Sequence, residues 1–282
     1  MVDGSTASIS RTIGRRDRLL GLLGTKSILM GILNITPDSF SDGGKFFGLD
    51  AALQQAKKLA GEGADIIDVG AESTRPGHTP VAAEEELARL DPILGKLTES
   101  IDLPFSIDTS KATVARRAAE LGASVINDVW GMQKDPAMAD AVAETGAVVV
   151  LMHNRDGVDP NLDILADMRR FFDRSLHLAD AAGIPRARLI LDPGIGFGKS
   201  RAQNFTALAN LVALKDYGLP ILAGVSRKSL LAEPGATPLD AGVVRTLAAN
   251  LAAAANGASL FRVHDVAEHA AAFKVFDAIV RR

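Results

Sequence analysis

Residues 104–129, PFSIDTSKATVARRAAELGASVINDV, contain the pattern that decides the fold. A β-type run at 105–108 is followed by a stretch with helical spacing at 111–121 and by a second β-type run at 125–129. Gly122 stands where the helix must end, because glycine adopts the left-handed conformation that closes a helix. The stretch therefore predicts one βαβ unit.

The same unit recurs along the chain. Eight β-type runs are present, mostly continuous in Val, Ile and Leu, as is typical of parallel strands covered on both faces. Each run is followed by one stretch with helical spacing, and the repeat is roughly 33 residues long, the size of a βαβ unit. The runs are 28–35, 65–69, 105–108, 125–129, 148–152, 189–191, 221–225 and 260–263, and the helical stretches are 51–62, 84–100, 111–121, 136–145, 164–182, 203–217, 239–256 and 266–280.

Eight successive units predict an α/β fold of the closed (β/α)8 class, a TIM barrel formed as a single domain. The length of 282 residues suits one such barrel. A doubly wound open sheet is the alternative, because periodicity alone does not separate a closed parallel sheet from an open one. We expect the barrel to occupy residues 27–282. Residues 1–26 are either a flexible extension or a partial cap of the barrel.

The composition excludes several classes of protein. Hydrophobic residues make up 47% and charged residues 23%, which is typical of a globular protein rather than a disordered one. The formal net charge of −3 gives no basic excess, so we expect no nucleic-acid partner. The absence of cysteine excludes disulfides, thiol nucleophiles and Cys-ligated metals. No apolar run approaches the ~20 residues that cross a bilayer, so we expect a cytoplasmic protein that does not bind membranes.

Polar side chains end all eight β-type runs. In a barrel, the C-terminal ends of the strands carry the chemistry. Helix capping explains a single carboxylate such as Asp38 or Asp265, but polar groups at all eight ends predict a ligand site, because burying them without partners costs several kcal/mol each. Two long loops, 36–49 and 71–83, are expected to be mobile lids over that site. The strand-end residues are Asn34, Asp68, Asp108, Asn127, Asp128, His153, Asp192, Lys228, Arg262 and His264.

Seven segments at these strand ends are GILNITPDSFSDGG (31–44), DVGAESTRPG (68–77), SIDTS (106–110), IND (126–128), LDPGIGFGK (191–199), GVSRKS (224–229) and RVHDV (262–266). Together they resemble the dihydropteroate synthase family, and the resemblance runs from about residue 27 to the C-terminus. It is specific, because seven separate segments stand in the family's order and each ends one predicted strand.

The resemblance implies a (β/α)8 fold, in agreement with the spacing. It also implies an enzyme of folate biosynthesis, a transferase that joins (7,8-dihydropterin-6-yl)methyl diphosphate to 4-aminobenzoate and releases diphosphate. We therefore expect small-molecule substrates as partners. A homodimer through helices away from the barrel mouth is implied as well. Sulfonamides should bind, because they mimic 4-aminobenzoate.

The resemblance places the pterin among polar residues. Asp192 would accept a pair of hydrogen bonds from the guanidine-like edge of the ring, and Asn127 would donate and accept at the remaining edge. Lys228 would donate to the pterin carbonyl and a ring nitrogen. Asp108 would stabilise the positive charge that develops if diphosphate leaves first, in a dissociative substitution. Arg262 and Met152 would also contact the pterin. For Met152, a position in the plain apolar core explains the residue nearly as well.

The remaining parts of the site follow from the same resemblance. The diphosphate would bind Arg262 and His264, which stand two apart on a strand and so point the same way. Asn34 would hold Mg²⁺ against the diphosphate, since hard oxygen ligands suit magnesium. Catalysis would fall to Asp108, Lys228, Arg262 and His264. The 4-aminobenzoate would lie in an apolar slot closed by loops, and the residues implied there are Phe40, Thr74, Arg75, Pro76, Phe197 and Ser229.

Two other functions share parts of this pattern. The pterin domain of a methyltransferase of the same fold would use the pterin residues but would need no diphosphate site. The set of Asn34, Arg262 and His264 argues against it. A non-catalytic pterin-binding relative would lack at least one implied residue, and none is missing from the sequence.

Overall fold

The structure, a computed structural model, describes residues 4–35, 44–72, 81–232 and 241–280. The described residues form eight β-strands in the places that the apolar runs predict. Most of these strand residues are buried, as expected for a parallel sheet covered by helices. The strands are β1 (Ile28–Asn34), β2 (Ile66–Gly70), β3 (Phe105–Asp108), β4 (Val125–Asp128), β5 (Val148–Met152), β6 (Leu189–Asp192), β7 (Leu222–Ala223) and β8 (Leu260–Val263).

One α-helix precedes β1, and one follows every strand. The helix expected at 203–217 is instead two segments: α7 ends at Ala209, Asn210 leaves the helical region (φ −119°, ψ 26°), and a 3₁₀ helix spans Leu211–Tyr217. The α-helices are α1 (Gly4–Leu22), α2 (Gly44–Gly61), α3 (Ala83–Ser100), α4 (Ala112–Glu120), α5 (Met138–Thr145), α6 (Ile164–Ala181), α7 (Arg201–Ala209), α8 (Ala241–Ala255) and α9 (Val266–Val280). Shorter 3₁₀ helices lie at Arg186–Arg188 and Ser229–Leu231.

The sheet closes on itself. All neighbouring strands are parallel, in the order β6-β5-β4-β3-β2-β1-β8-β7. The two end strands meet through a parallel bridge between Leu191 and Ile221, and the N–H of Leu191 donates to the carbonyl oxygen of Pro220 at 2.9 Å. The prediction of a (β/α)8 barrel is thereby confirmed, and the open doubly wound sheet is excluded.

Side chains alternate between the two faces of the barrel wall. Those that point outwards pack against the helices, for example Leu29, Ile67, Ile107 and Phe261. Those that point inwards form a separate apolar cluster in the lower barrel, and its members are Ile28, Met30, Ile66, Val125, Val148, Val150, Ile190, Leu222 and Leu260, joined by Leu19.

The N-terminal segment contains a packed helix. Leu19 of α1 is fully buried within the inward-facing cluster, so α1 covers the barrel at the N-terminal ends of the strands. Arg15 donates to the carbonyl oxygens of Thr98 and Ile101 at 2.9 and 2.6 Å, where α3 ends. Arg16 donates to the carbonyl oxygen of Gly146 at 3.1 Å, where α5 ends. Among the described helices, none has the length and apolar character needed to cross a membrane.

Candidate active site

Six inward-facing side chains from six strands meet at the C-terminal mouth of the barrel. Each of the six stands two positions after another inward-facing residue on its strand. Since residues two apart on a strand share a face, each of the six also points inwards, one layer closer to the C-terminal mouth. Below this layer the barrel is filled mostly with apolar side chains. The six residues are Asp68, Asp108, Asn127, Met152, Asp192 and Arg262.

Arg262 is bound by two buried carboxylates. Its Nε donates to Oδ2 of Asp68 at 2.6 Å, and its Nη2 donates to Oδ2 of Asp108 at 2.9 Å. Burial works against the charge of Arg262, but the two carboxylates outweigh burial and raise its pKa. For Asp108, burial dominates over the attraction of Arg262 and raises the pKa to about 7. Oδ1 of Asp108 is buried and has no hydrogen-bond partner among the described residues.

Asp192 and Lys228 form the opposite side of the mouth. Asp192 Oδ1 accepts from the backbone N–H of Gly194 at 2.7 Å, and burial raises the pKa of Asp192. Burial lowers the pKa of Lys228 to about 8, although Asp192 attracts the ammonium. The ammonium donates to the carbonyl oxygen of Ile195 and lies 4.5 Å from the centre of the Phe197 ring. Phe197, predicted for the aminobenzoate slot, therefore adjoins the predicted pterin residues.

Asn34 ends β1 and is exposed. A Cβ atom added at Gly70, the last residue of β2, would lie 3.8 Å from Oδ1 of Asn34, so the missing side chain leaves room in front of this amide oxygen. A neutral hard oxygen on an exposed side chain fits Mg²⁺, which commonly takes one or two protein oxygens and completes its shell with phosphate and water. No group of three or more His, Asp or Glu that could hold a metal is found in the described parts of the chain.

His264 and Arg262 have different partners. His264 lies one residue beyond β8, where the alternation of the strand no longer fixes the direction of a side chain. Its Nδ1 lies 2.9 Å from Oγ of Ser226, and its backbone N–H donates to the same oxygen at 3.1 Å. Ser229 is exposed at the start of the 3₁₀ helix Ser229–Leu231. The structure thus brings Arg262 to the two aspartates and His264 to the end of β7.

Both long loops lie partly outside the described residues. The loop expected at 36–49 is shorter than predicted, because α2 begins at Gly44. The loop expected at 71–83 is described only at its two ends. The predicted site residues outside the described ranges are Phe40, Thr74, Arg75 and Pro76.

Two residues near the mouth had no role in the sequence analysis. The sequence marks Asp68 only as a polar strand end. The signal for a role is that β2 and β3 are successive strands that each end in or near an aspartate, Asp68 and Asp108. Lys199 is buried, and its ammonium donates to the carbonyl oxygens of Gly194 at 2.8 Å and Phe197 at 3.1 Å. Burial lowers the pKa of Lys199 to about 7. Its signal was a lysine at the end of a glycine-rich segment that fits no phosphate-binding loop.

Comparison with known proteins gives one consistent result. The sequence profile of a family described as pterin binding enzyme matches residues 30–264. The dihydropteroate synthase of Clostridium beijerinckii is 47% identical over 264 residues, which cover 92% of this chain and 97% of that protein.

Solved structures give the same result. A dihydropteroate synthase from Clostridium difficile, crystallised in the presence of pteroic acid, aligns with a TM-score of 0.89 and 46% identity, over 92% of this chain and 98% of that one. The dihydropteroate synthase of Xanthomonas albilineans with 4-aminobenzoic acid aligns with a TM-score of 0.85 and 45% identity, over 90% of this chain and 93% of that one.

Proposed function

The chain belongs to the dihydropteroate synthase family of pterin-binding enzymes, and from this we propose how its barrel mouth joins (7,8-dihydropterin-6-yl)methyl diphosphate to 4-aminobenzoate. The reaction transfers an alkyl group in folate synthesis and gives 7,8-dihydropteroate and diphosphate. The observation that carries the proposal is the convergence of six strand-end side chains on one mouth above an apolar barrel interior.

Asp192, Asn127 and Lys228 recognise the pterin. The carboxylate of Asp192 accepts from the two donors of the guanidine-like edge, since two parallel hydrogen bonds to a carboxylate fix a planar group. The amide of Asn127 matches the remaining mixed edge. Lys228 keeps its proton at neutral pH, because its pKa of about 8 is above that range, and donates to the pterin carbonyl. Met152 closes one side of the pocket.

The substitution is dissociative. The bond between the pterin methylene carbon and the diphosphate oxygen breaks first, and its electron pair leaves with the diphosphate. Asp108, when ionised, stabilises the cation left on the pterin. The amino nitrogen of 4-aminobenzoate then forms the new bond and releases its proton to water. An aromatic amine is already neutral, so the step needs no strong general base.

The leaving group lies on the side of Asn34, Arg262 and His264. Arg262 offers planar N–H donors that suit phosphate oxygens, and His264 adds a donor at the end of β8. Asn34 would hold Mg²⁺, which supplies positive charge that stabilises the departing diphosphate. This assignment is supported by the exposure of Asn34 at the end of β1 and by the absence of a side chain at neighbouring Gly70.

The 4-aminobenzoate lies beside the pterin. Phe197 is one wall of its slot, which agrees with the position of the ring next to Lys228. Ser229 offers a hydroxyl group to the carboxylate. The residues Phe40, Thr74, Arg75 and Pro76, all outside the described ranges, complete the slot. Sulfonamides, as mimics of 4-aminobenzoate, compete for the same place.

We also propose that two copies of the chain form a homodimer on the side of α8 and α9. Val244, Val275 and Ile279 are each 60–65% exposed on these helices, and apolar side chains in such positions are suited to an interface. The cytoplasm is its proposed location, since its pterin substrate is a charged diphosphate that does not cross a membrane unaided.

A diphosphate-release assay tests the function. We expect release that requires Mg²⁺ and rises with 4-aminobenzoate. Asp192→Ala should lose pterin binding in calorimetry, whereas Arg262→Ala should mainly weaken the binding of the diphosphate group and slow its departure. A methyltransferase domain, the rival function, would release no diphosphate. Equal activity of both variants and the unchanged protein would contradict the residue assignment, and absence of diphosphate release by the unchanged protein would contradict the function itself.

A further inference from the structure

The roles proposed above leave Asp68 unassigned, although it is the centre of the hydrogen-bond network in the mouth. Its carboxylate is fully buried at β2. It accepts from three other strands: from Oγ of Ser106 on β3, from Nδ2 of Asn127 on β4 at 3.4 Å, and from Nε of Arg262 on β8 at 2.6 Å. A carboxylate with no exposed surface offers no face to a substrate, so its effect on the reaction must pass through these three neighbours.

We propose that Asp68 is a positioning residue, which fixes the guanidinium of Arg262 against Asp108 in the orientation that the pterin diphosphate requires. The inference rests on the proposed function, because it assigns Asp68 to the same site. Asp68 holds Nε of Arg262, and Asp108 holds Nη2 of the same group. A guanidinium is planar, so two nitrogens bound to separate partners fix the plane and leave the remaining N–H groups aimed in one direction.

Stability alone does not explain this ion pair. The side chain of Arg262 is only 22% exposed and that of Asp68 is fully buried. A buried ion pair is often no more stabilising than apolar residues of the same volume, because both charges must leave water. Apart from Ser106, which donates to Asp68, the inward-facing side chains that fill the lower barrel are mostly apolar. A charged pair at the top of this interior is therefore best explained by what it orients.

Asp68 also influences the charge of Asp108. Burial raises the pKa of Asp108, Arg262 lowers it, and the charges of Asp68, Glu86 and Asp128 raise it. Neutralising Asp68 removes one of the raising charges and leaves Arg262 to pair with Asp108 alone. Both effects lower the pKa of Asp108. Loss of the Asp68 charge therefore predicts a lower pKa for Asp108 and a shift of the acidic limb of the pH profile to lower pH.

The test is the variant Asp68→Asn, which keeps the shape of the side chain and removes its charge. With (7,8-dihydropterin-6-yl)methyl diphosphate as the varied substrate, we expect kcat/KM to fall about 10- to 100-fold, as misplacing a binding group does. The KM for 4-aminobenzoate should stay unchanged. The acidic limb of the kcat/KM profile should move to lower pH, because this limb reports the free enzyme.

A double-mutant cycle shows whether Asp68 acts through Arg262. In the Arg262→Ala background, Asp68→Asn should cause no further loss of kcat/KM. Asp65→Asn is the matched control: Asp65 precedes β2 at the opposite end of the barrel and pairs with Lys26 at 2.6 Å. It should leave the acidic limb in place.

An unmoved acidic limb with kcat/KM within about twofold of the unchanged protein, or a full additive loss in the Arg262→Ala background, would overturn the proposal. If Asp68→Asn fails to fold by circular dichroism, Asp68→Ala, which leaves room for a water molecule, is held to the same outcomes. An unchanged protein that releases no diphosphate would instead contradict the proposed function, so the two failures are distinguishable.

Discussion

At the scale of single residues, burial determines which protonation state a group keeps. His153 directly follows β5 with its ring fully buried, and its Nε2 lies 3.2 Å from Oδ2 of Asp167. Burial and the neighbouring Lys199 outweigh the attraction of Asp167 and lower the pKa of His153 to about 3. The folded protein therefore holds this histidine neutral, packed edge-on against Phe171 with ring centres 5.0 Å apart.

This neutral histidine predicts a loss of stability in acid. Below the ordinary pKa of 6.5, the unfolded chain binds a proton at His153 that the folded protein does not bind until about pH 3. The free energy of unfolding should thus fall as the pH decreases through this window, by roughly 1.4 kcal/mol per pH unit from this group. Buried Asp108 and Asp128, whose pKa values are raised, act in the opposite direction, so the comparison with a variant isolates the histidine.

Urea unfolding between neutral pH and about pH 5 checks this prediction, with His153→Gln and the unchanged protein measured side by side. The stability difference between the two should shrink as the pH falls, because only the unchanged protein loses the contribution of the histidine. His177→Gln, at an exposed histidine of α6, is the control and should follow the unchanged protein. A stability difference that stays constant with pH would refute the prediction.

At the scale of elements, the loop between β6 and α7 is held by a buried lysine. Besides its bonds to Gly194 and Phe197, Lys199 reaches the carbonyl oxygen of His153 at 3.4 Å. The loop is also packed closely against the chain after β5: a Cβ atom at Gly194 would lie 1.8 Å from the His153 carbonyl oxygen, and the residue has φ +64°. Lys199 therefore joins two loops of the mouth.

Replacing Lys199 with methionine should loosen Phe197. The variant keeps the length of the side chain but removes the donor from the carbonyl oxygens of His153 and Phe197, while that of Gly194 keeps the N–H of Phe197. Loss of a donor to a buried oxygen costs about 1–3 kcal/mol. We expect a higher KM for 4-aminobenzoate, by about 5- to 30-fold if 1–2 kcal/mol appears in binding. The KM for the pterin diphosphate should change less, because Asp192 lies on β6 itself. Lys96→Met, at an exposed lysine of α3, is the control. An equal rise in both KM values would contradict the prediction.

Elements differed in how far the sequence could predict them. The sequence locates strands such as β4 because each is a short run rich in apolar residues between turn residues. Asn127 stands two positions after Val125, so both side chains point into the barrel. The break of the last part of α7 at Asn210 was missed, since helical spacing continues through Leu211–Tyr217. The partners of Asp68 and Lys199 were also missed. Arg262 is 194 residues from Asp68 along the chain, and Lys199 binds carbonyl oxygens, which every residue has.

At the scale of the whole molecule, the residues that stabilise the barrel interior and the residues of the candidate site lie at opposite ends of the strands. The polar mouth lies at the C-terminal ends of the strands, and α1 covers the N-terminal ends with Leu19 in the apolar interior. The sequence alone leaves open whether residues 1–26 form a tail or a cap, because the segment is mostly polar and the burial of Leu19 depends on contacts with distant strands. The arginines of α1 add hydrogen bonds to the C-terminal carbonyls of α3 and α5, where helix ends attract positive charge.

This separation predicts that Leu19→Ala lowers the free energy of unfolding and leaves the catalytic constants of the folded protein unchanged. Removing a fully buried leucine from a packed interior costs about 2–5 kcal/mol, because the cavity collapses only in part. The free energy of unfolding in urea should fall by that amount, while kcat and both KM values of the remaining folded protein stay as they were. Ile13 lies on the same helix and is 42% exposed. Ile13→Ala should therefore change the free energy of unfolding by less than about 0.5 kcal/mol. A loss of turnover in folded Leu19→Ala protein would mean that α1 is coupled to the mouth through the barrel interior. A free energy of unfolding equal to that of Ile13→Ala would mean that α1 does not close the barrel in solution.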